Sequence, residues 1–155
     1  MQARLDGRNA IITGGSAGIG KAIAKNFLTS GANVAIVARR RDVLDAAKAE
    51  IEAEGAKAGN IGKVIALSAD IRRDDECTAV IDNIIAEFGK IDVLVNNAGT
   101  SQRGAFLDVS DEIWQDDLDL KLFSAIRLSR LVIPGMRERK SVSYTHLTLP
   151  TTPYV

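Results

Sequence analysis

TGGSAGIG, residues 13–20, separates a short apolar run from a segment with helical periodicity. The run before it, residues 9–13 (NAIIT), is typical of a buried strand that enters a tight turn. After the glycines, apolar side chains recur at the spacing of a helix, at Ile19, Ala22, Ile23 and Phe27. Gly31 can then adopt the left-handed backbone conformation that commonly ends a helix. The segment therefore predicts a strand, a glycine turn and a helix in direct succession.

Strand and helix patterns keep alternating along the rest of the chain. Further strands are predicted at residues 33–38, 63–68 and 91–96, and further helices at residues 42–54, 74–88 and 111–139. Consecutive parallel strands need crossover helices, and those crossovers are right-handed. The order therefore predicts an α/β fold: a Rossmann-type doubly wound parallel sheet with strand order 3-2-1-4 that stops after the long fourth helix.

Local features of these elements are also predicted. Residues 55–62 (GAKAGNIG) are expected to form a loop, and Ser110 is expected to cap the long helix. The helix at residues 74–88 is expected to turn one apolar face inward, formed by Val80, Ile81, Ile84, Ile85 and Phe88. Cys77 falls on the same stripe and is interpreted as a small core residue rather than a nucleophile.

Length, charge and cysteine content exclude several classes of protein. At 155 residues the chain is sized for one domain at most. Its 20 basic and 20 acidic residues cancel, so no net field attracts nucleic acid or an anionic membrane. No apolar run approaches the ~18 residues of a membrane span. A single cysteine fits a reducing compartment. We therefore expect a cytoplasmic protein without a nucleic-acid, membrane or metal partner.

The glycine turn has the composition that a dinucleotide diphosphate requires. Gly14 allows the sharp turn, Gly18 lets the backbone approach a cofactor, and Gly20 permits close packing of the helix on the sheet. Ser16 adds a hydroxyl, and the helix N-terminus beyond it offers unpaired N–H groups to an anion. An ordinary structural turn is the alternative, because glycine trios also occur where no ligand binds.

Three motifs in the expected order resemble those of the short-chain dehydrogenases/reductases. They are Gly14-x-x-x-Gly18-x-Gly20, Asp70-Ile71 after the third strand, and Asn96-Asn97-Ala98-Gly99 after the fourth strand. The resemblance covers residues 1 to about 140, the front half of a family member. It implies that Asp70 and Ile71 contact an adenine ring. It also implies that Asn97 ties neighbouring strands together, with a plain Asx turn as the alternative.

The end of the second strand decides between the two nicotinamide dinucleotides. A carboxylate there would bind the ribose 2′-hydroxyl of NAD and repel a 2′-phosphate. This chain instead has Arg39, Arg40 and Arg41, whose guanidinium groups suit the 2′-phosphate of NADP. NADP is therefore predicted over NAD. A solvated helix start is the alternative for the arginines, and many NADP-using relatives carry a base where this chain has Ala17. The predicted cofactor-binding residues are Gly14, Ser16, Gly18, Ile19, Gly20, Arg39, Asp70, Ile71, Asn97, Ala98 and Gly99.

Residues 141–155 (SVSYTHLTLPTTPYV) lack the charge density and periodicity of the preceding sequence. Residues 142–151 match, at ten consecutive positions, one translated frame of the transposase adapter used in DNA library preparation. We therefore divide the chain into a partial dinucleotide-binding domain, residues 1–140, and a non-native tail, residues 141–155. A genuine variable terminus is the alternative. With the tail excluded, the edge of the fourth strand at residues 93–95 is predicted to stay unpaired.

The catalytic residues that the resemblance implies are missing, and none is predicted. The family uses a tyrosine, a lysine four residues later and a serine, but Tyr144 is followed at that spacing by Thr148. Tyr144, His146 and Tyr154 belong to the tail and receive no catalytic role. The family also places an asparagine in the long helix, where counting along the chain gives Lys121. A variant proton relay, a register shift of one residue and an ordinary surface lysine are the three explanations for Lys121.

The resemblance implies that the intact protein is an NADP-dependent oxidoreductase that interconverts a secondary alcohol and a ketone. Similar proteins include 3-oxoacyl reductases and sugar or steroid dehydrogenases. The implied partners are a small-molecule alcohol or ketone and further copies of the chain, because the long helix often builds the subunit interface in this family. A dinucleotide-binding module without catalysis is the competing hypothesis, and for the chain as written we predict inactivity. A dehydratase or epimerase of the extended relatives is disfavoured by the glycine spacing.

Overall fold

The computed structural model describes residues 4–59, 62–100 and 104–141, together with the backbone of residues 144–146. In chain order the elements are β1 (Asn9–Thr13), α1 (Gly18–Thr29), β2 (Asn33–Ala38), α2 (Arg41–Lys57), β3 (Val64–Ser68), α3 (Asp74–Phe88), β4 (Val93–Asn96), α4 (Asp111–Leu118), a π-helical segment (Asp119–Phe123), α5 (Ser124–Glu138) and β5 (Tyr144–His146). Thr148 and Tyr154 of the tail lie outside the described residues. None of the described helices is long and apolar enough to cross a membrane.

The described strands form one parallel sheet in the order β3-β2-β1-β4-β5. The predicted Rossmann-type order 3-2-1-4 is therefore confirmed. β1 is central: Ile11 is in register with Ala35 of β2 on one side and with Leu94 of β4 on the other. Because the strands are parallel, the carboxyl ends of β2, β1 and β4 lie side by side. The segments that follow these three strands meet at one edge of the sheet, where ligands bind in folds of this type.

The prediction that the edge of β4 stays unpaired is wrong. β5 lies beside β4, with Leu94 opposite Tyr144 and Asn96 opposite His146. A strand edge needs only N–H and C=O partners, so any short extended backbone can cover it, whatever its side chains. The sequence pattern of the tail therefore did not reveal this strand. The non-native origin of residues 141–155 stays a prediction.

Apolar side chains cover both faces of the sheet. Along β1 they alternate: Ile11 packs with residues of α3 and α5, while Ala10 and Ile12 pack with residues of α1 and α2. The full burial of β1 on both faces explains why its central residues 10–12 are all apolar instead of alternating between apolar and polar. Cys77 is fully buried in the α3 and α5 layer, which confirms it as a core residue. Burial raises the pKa of its thiol to about 11, so the thiol stays protonated.

Two predictions about α2 and α3 need correction. α2 continues to Lys57, with Gly55 buried inside it, so the first part of the loop predicted at residues 55–62 is helical. Tertiary packing of this glycine overrides its low helix propensity. Ile85 was predicted to face inward but is 45% exposed. The preceding residue, Ile84, already fills the inner face of α3, and the helical rotation turns Ile85 outward.

The long helix predicted at residues 111–139 contains an irregular turn. The π-helical segment separates α4 from α5, and the three together make one continuous helical stretch. π-Helical turns are rare and concentrate at functional sites. The residues of this segment are therefore candidates for a functional role. Ser110 occupies the N-cap position of α4 but makes no side-chain hydrogen bond to the helix backbone. Its hydroxyl bonds the Glu112 carboxyl instead and lowers the pKa of that group.

Candidate functional site

A cavity of about 1070 Å³ opens at the carboxyl edge of the sheet, beyond the ends of β2, β1 and β4. Its volume is slightly above the roughly 300–1,000 Å³ that is usual for small-molecule sites. Every predicted cofactor-binding residue except Gly20 lines it, namely Gly14, Ser16, Gly18, Ile19, Arg39, Asp70, Ile71, Asn97, Ala98 and Gly99. The sheet topology thus brings together side chains from four separate parts of the sequence.

The glycine turn is packed tightly on its inner side and is open toward the cavity. A Cβ atom on Gly20 would collide with the Gly14 carbonyl oxygen and with the Asn97 side-chain amide. Gly18, in contrast, has a φ of +52° and nothing within 4 Å of the place where a Cβ would stand. Gly20 therefore lets α1 approach the end of β4 beneath the cavity, whereas Gly18 provides bare backbone in the cavity wall.

The first turn of α1 reaches the cavity without a cap from the protein. Ala17 occupies the N-cap position and has no side chain that could accept a hydrogen bond, and the first turn contains no acidic residue. The first N–H groups of a helix lack intrahelical partners and carry a partial positive charge. Ser16, Gly18 and Ile19 line the cavity at this point, and Ile19 is 45% exposed. The arrangement suits an anionic group such as a diphosphate.

Thr13 and Asn97 hold the ends of β1 and β4 together. Thr13 Oγ1 accepts hydrogen bonds from the backbone N–H groups of Asn97 and Ala98, each at 3.0 Å. It donates to the Val95 carbonyl at 3.3 Å. Asn97 Nδ2 donates in return to the Thr13 carbonyl at 3.0 Å and to the Gly14 carbonyl at 3.4 Å. Asn97 therefore ties the strands, and Thr13, which sequence analysis did not single out, is its partner.

Arg39 and Arg40 form the cavity wall beyond the end of β2, and both side chains are exposed. Across the described ranges neither guanidinium forms an ion pair with a carboxylate. Arg41, the first residue of α2, differs because its Nε lies 3.0 Å from Asp45 Oδ2 within the same helix. Arg41 therefore fits the alternative interpretation, in which an arginine is a solvent-exposed residue at the start of a helix. Arg39 and Arg40 therefore place two exposed guanidinium groups at one end of the cavity.

Asp70 lies at the same end of the cavity, but its charge is balanced. Arg72 donates to both carboxylate oxygens, at 2.6 Å from Nη2 to Oδ2 and at 2.9 Å from Nε to Oδ1. These hydrogen bonds lower the pKa of Asp70 and raise the pKa of Arg72. Ile71 follows as a buried apolar residue of the cavity wall. The charge of Arg39 also lowers the pKa of Asp70, but less than Arg72 does and without an ion-pair contact.

The opposite end of the cavity, beyond β4, contains side chains that were not predicted as a binding site. Asn96 is buried, and neither polar atom of its side-chain amide has a hydrogen-bond partner among the described residues. Thr100, Lys121 and Ser124 also line this end, and Lys121 Nζ donates to Asp117 Oδ2 at 2.9 Å. Buried amides are almost always hydrogen-bonded, so the unpartnered amide of Asn96 is unusual for a buried side chain.

A family model described as short chain dehydrogenase matches residues 8–143 of the chain. The chain belongs to the short-chain dehydrogenase family. The matched segment contains the complete cavity wall, from Thr13 on β1 to Ala125 on α5. The motifs that suggested the resemblance are therefore part of an alignment along most of the chain, rather than isolated coincidences.

The chain is also similar to individual relatives and to solved structures of the family. The chain is 40% identical over 143 residues to a short chain dehydrogenase of Pseudocercospora fijiensis, with 91% of this chain and 44% of that protein covered. It is 32% identical over 142 residues to the 3-oxoacyl-[acyl-carrier-protein] reductase of Staphylococcus epidermidis, with 91% and 56% covered. The structure of L-sorbose reductase from Gluconobacter frateurii, complexed with NADPH and L-sorbose, is similar at 37% identity and a TM-score of 0.82, with 90% and 51% covered. The chain spans about half the length of the curated relatives it matches.

Proposed function

We propose that this chain forms the dinucleotide-binding part of an NADP(H)-dependent oxidoreductase that interconverts a secondary alcohol and a ketone. The proposal is carried by the cavity that crosses the ends of β2, β1 and β4, with the uncapped α1 N-terminus in the middle and the exposed Arg39 and Arg40 at one end. A 3-oxoacyl reductase among its relatives and the NADPH complex of L-sorbose reductase support the same assignment. For the intact protein we propose an activity of the 3-oxoacyl reductase type.

The residues of the cavity fit a phosphorylated dinucleotide. The first turn of α1 beside Gly18 would hold the diphosphate, Arg39 the 2′-phosphate, and Asp70 with Ile71 the adenine ring. The nicotinamide end would then lie beyond β4, beside Ala98, Gly99 and the unpartnered amide of Asn96. The dinucleotide, when bound in its reduced form, supplies a hydride to the ketone. The contribution of this chain is to bind the cofactor and to fix its position relative to the sheet.

Titration of the purified 155-residue chain with NADPH and NADH tests the proposal. Both should bind saturably in a fluorescence titration, and NADPH should bind more tightly. Arg39→Gln should weaken NADPH binding roughly tenfold or more and leave NADH binding unchanged, because a hydrogen bond to a charged group contributes about 1.5–3 kcal/mol. Arg41→Gln is the matched control, since Arg41 pairs with Asp45 and does not line the cavity.

Two results would count against this function. A folded chain that takes up neither dinucleotide contradicts dinucleotide binding altogether. If Arg39→Gln weakens NADPH and NADH equally, or if Arg41→Gln has the same effect as Arg39→Gln, the assignment of the 2′-phosphate to Arg39 is wrong. Circular dichroism of each variant establishes that a loss of binding does not arise from a loss of fold.

A dinucleotide-binding module without catalysis is the second candidate, and we propose it for the chain as written. The observation that favours it is that the sequence has no tyrosine followed four residues later by lysine. NADPH should therefore bind without being consumed when the chain is mixed with a panel of ketones. Steady consumption of NADPH would contradict inactivity. A small-molecule alcohol or ketone substrate, a cytoplasmic location and homo-oligomer formation stay predictions for the intact protein.

A further inference from the structure

Lys121 brings a positive charge to the end of the cavity that lies beyond β4. It belongs to the π-helical segment, and its Nζ lies 2.9 Å from Asp117 Oδ2, one helical turn earlier. The Lys121 side chain is 41% exposed and lines the cavity, whereas that of Asp117 is 19% exposed and does not line it. The lysine stem passes about 4.0 Å from the position of a Cβ on Gly99. Lys121 therefore borders the cavity, whereas Asp117 does not.

The ammonium group and the arginines lie at opposite ends of the cavity. β1 stands between β2 and β4 in the sheet, so Arg39 after β2 and Gly99 after β4 are on opposite sides of the glycine turn. If the 2′-phosphate binds at Arg39 and the diphosphate at the turn, the nicotinamide ring is directed toward Gly99 and Lys121. This step rests on the proposed function and would have no meaning if no dinucleotide bound.

We propose that Lys121 makes this site discriminate between the two redox states of the dinucleotide, in favour of the reduced form. The oxidised nicotinamide ring carries a positive charge and the reduced ring is neutral, while the adenosine, phosphate and ribose groups are the same in both. A nearby ammonium group repels only the oxidised ring. The ratio of the two affinities therefore reports on the nicotinamide end and is insensitive to contacts at Arg39.

Asp117 compensates the charge of Lys121 only in part. Asp117 does not line the cavity, and its Oδ1 is buried without a hydrogen-bond partner among the described residues. An opposite charge at a greater distance reduces the repulsion of a cation in the cavity but does not abolish it. Removal of the Asp117 charge should consequently strengthen the preference for the reduced form, and removal of the Lys121 charge should reverse or abolish it.

The test measures dissociation constants of NADP⁺ and NADPH for the full chain and its variants. Lys121→Gln keeps a hydrogen-bond donor for Asp117 but removes the charge, and should lower the ratio of the NADP⁺ to the NADPH dissociation constant about tenfold. Asp117→Asn should raise this ratio about threefold, a smaller change because the carboxylate is farther from the cavity. Lys121→Arg keeps the charge and should retain the wild-type ratio. Lys57→Gln, at the distant end of α2, is the control for net charge.

The possible results separate this inference from the function on which it rests. If the folded wild-type chain binds neither NADP⁺ nor NADPH, the proposed function fails. If it binds both and Lys121→Gln leaves the ratio unchanged, the discrimination by Lys121 is wrong while dinucleotide binding stands. If Lys121→Gln does not fold, the opposite shift expected for Asp117→Asn decides. A shift of the same size in Lys57→Gln would also overturn the inference, because it would show a response to net charge alone.

Discussion

At the scale of single residues, Gly18 and Gly20 of the glycine turn have different physical functions. Gly20 cannot carry a side chain because the Gly14 carbonyl oxygen and the Asn97 amide occupy the space a Cβ would need. Gly18 has room for a Cβ, yet its φ of +52° lies in the left-handed region that disfavours other residues. A substitution at Gly20 would therefore disturb the fold, whereas one at Gly18 changes mainly the cavity wall. This difference makes Gly18 the better position for a test of binding.

We expect Gly18→Ala to weaken NADPH binding at least tenfold, because its methyl group would enter space that the diphosphate needs. Gly59→Ala is the matched control, since Gly59 also has a positive φ, +72°, and open space, and it does not line the cavity. Both substitutions should cost about 1–2 kcal/mol of folding free energy through the left-handed backbone. Urea unfolding and NADPH titration of the two variants check this. Unchanged NADPH affinity in Gly18→Ala would remove Gly18 from the binding site.

At the scale of elements, Arg72 fixes the loop after β3 to the long helical stretch. Its guanidinium pairs with Asp70 in that loop, and Nη1 lies 3.1 Å from Asp116 Oδ2 in α4. Its carbonyl oxygen accepts a hydrogen bond from Arg127 of α5 at 2.8 Å. The wall proposed for the adenine ring is thus held by contacts from both helices. These contacts also explain how the side chain of Asp70 keeps a fixed orientation beside the cavity.

We expect Arg72→Met to lower the free energy of unfolding by about 1–2 kcal/mol near neutral pH, because Asp70 loses its partner. The folded-state pKa of Asp70 lies below its ordinary value of 3.8, so the unfolded chain takes up the proton first as the pH falls. The stabilisation is present above that value and is lost as the pH falls through the lower folded-state pKa. The stability difference between wild type and variant should therefore shrink below about pH 4.

Urea unfolding at neutral and at acid pH checks the expected loss. Arg73→Met is the control, because Arg73 pairs with Asp75 on the surface, where solvent screens the interaction. Arg73→Met should change the free energy of unfolding much less than Arg72→Met at both pH values. A difference between wild type and Arg72→Met that stays constant with pH would show that Arg72 stabilises the chain by packing alone.

Periodicity predicted the regular elements well because burial determines them. The helix predicted at residues 74–88 has the same bounds in α3. The strand order followed from the alternation of elements together with the usual order of the Rossmann fold. The π-helical segment was missed because one extra residue in a turn leaves the average spacing of apolar residues almost unchanged. β5 was missed because residues 141–155 were excluded as a tail, although the open edge of β4 that β5 pairs with had been predicted. The unpartnered amide of Asn96 could not be foreseen, since it depends on how the surrounding elements pack around the end of β4.

At the scale of the whole molecule, the long helical stretch leaves an apolar stripe in contact with solvent. Trp114, Leu118 and Leu122 follow at intervals of four residues and are 45%, 43% and 47% exposed. Phe106, 77% exposed, packs edge-to-face against Trp114 with ring centroids 6.1 Å apart. Contiguous apolar surface of this kind marks an interaction site in most soluble proteins. A formal net charge of zero at neutral pH provides no long-range repulsion between copies of the chain.

We therefore expect the chain to self-associate through this stripe, with a sedimentation coefficient that rises with protein concentration. Leu122→Glu should shift the equilibrium toward the monomer, because association would have to bury an unpaired carboxylate. Ile85→Glu on α3 is the matched control: Ile85 is 45% exposed, close to the 47% of Leu122, but lies on another helix. If both variants dissociate the complex equally, general surface charge rather than the stripe controls assembly. A wild-type chain that sediments as a monomer at every concentration would show that the stripe alone is too small to hold two copies together.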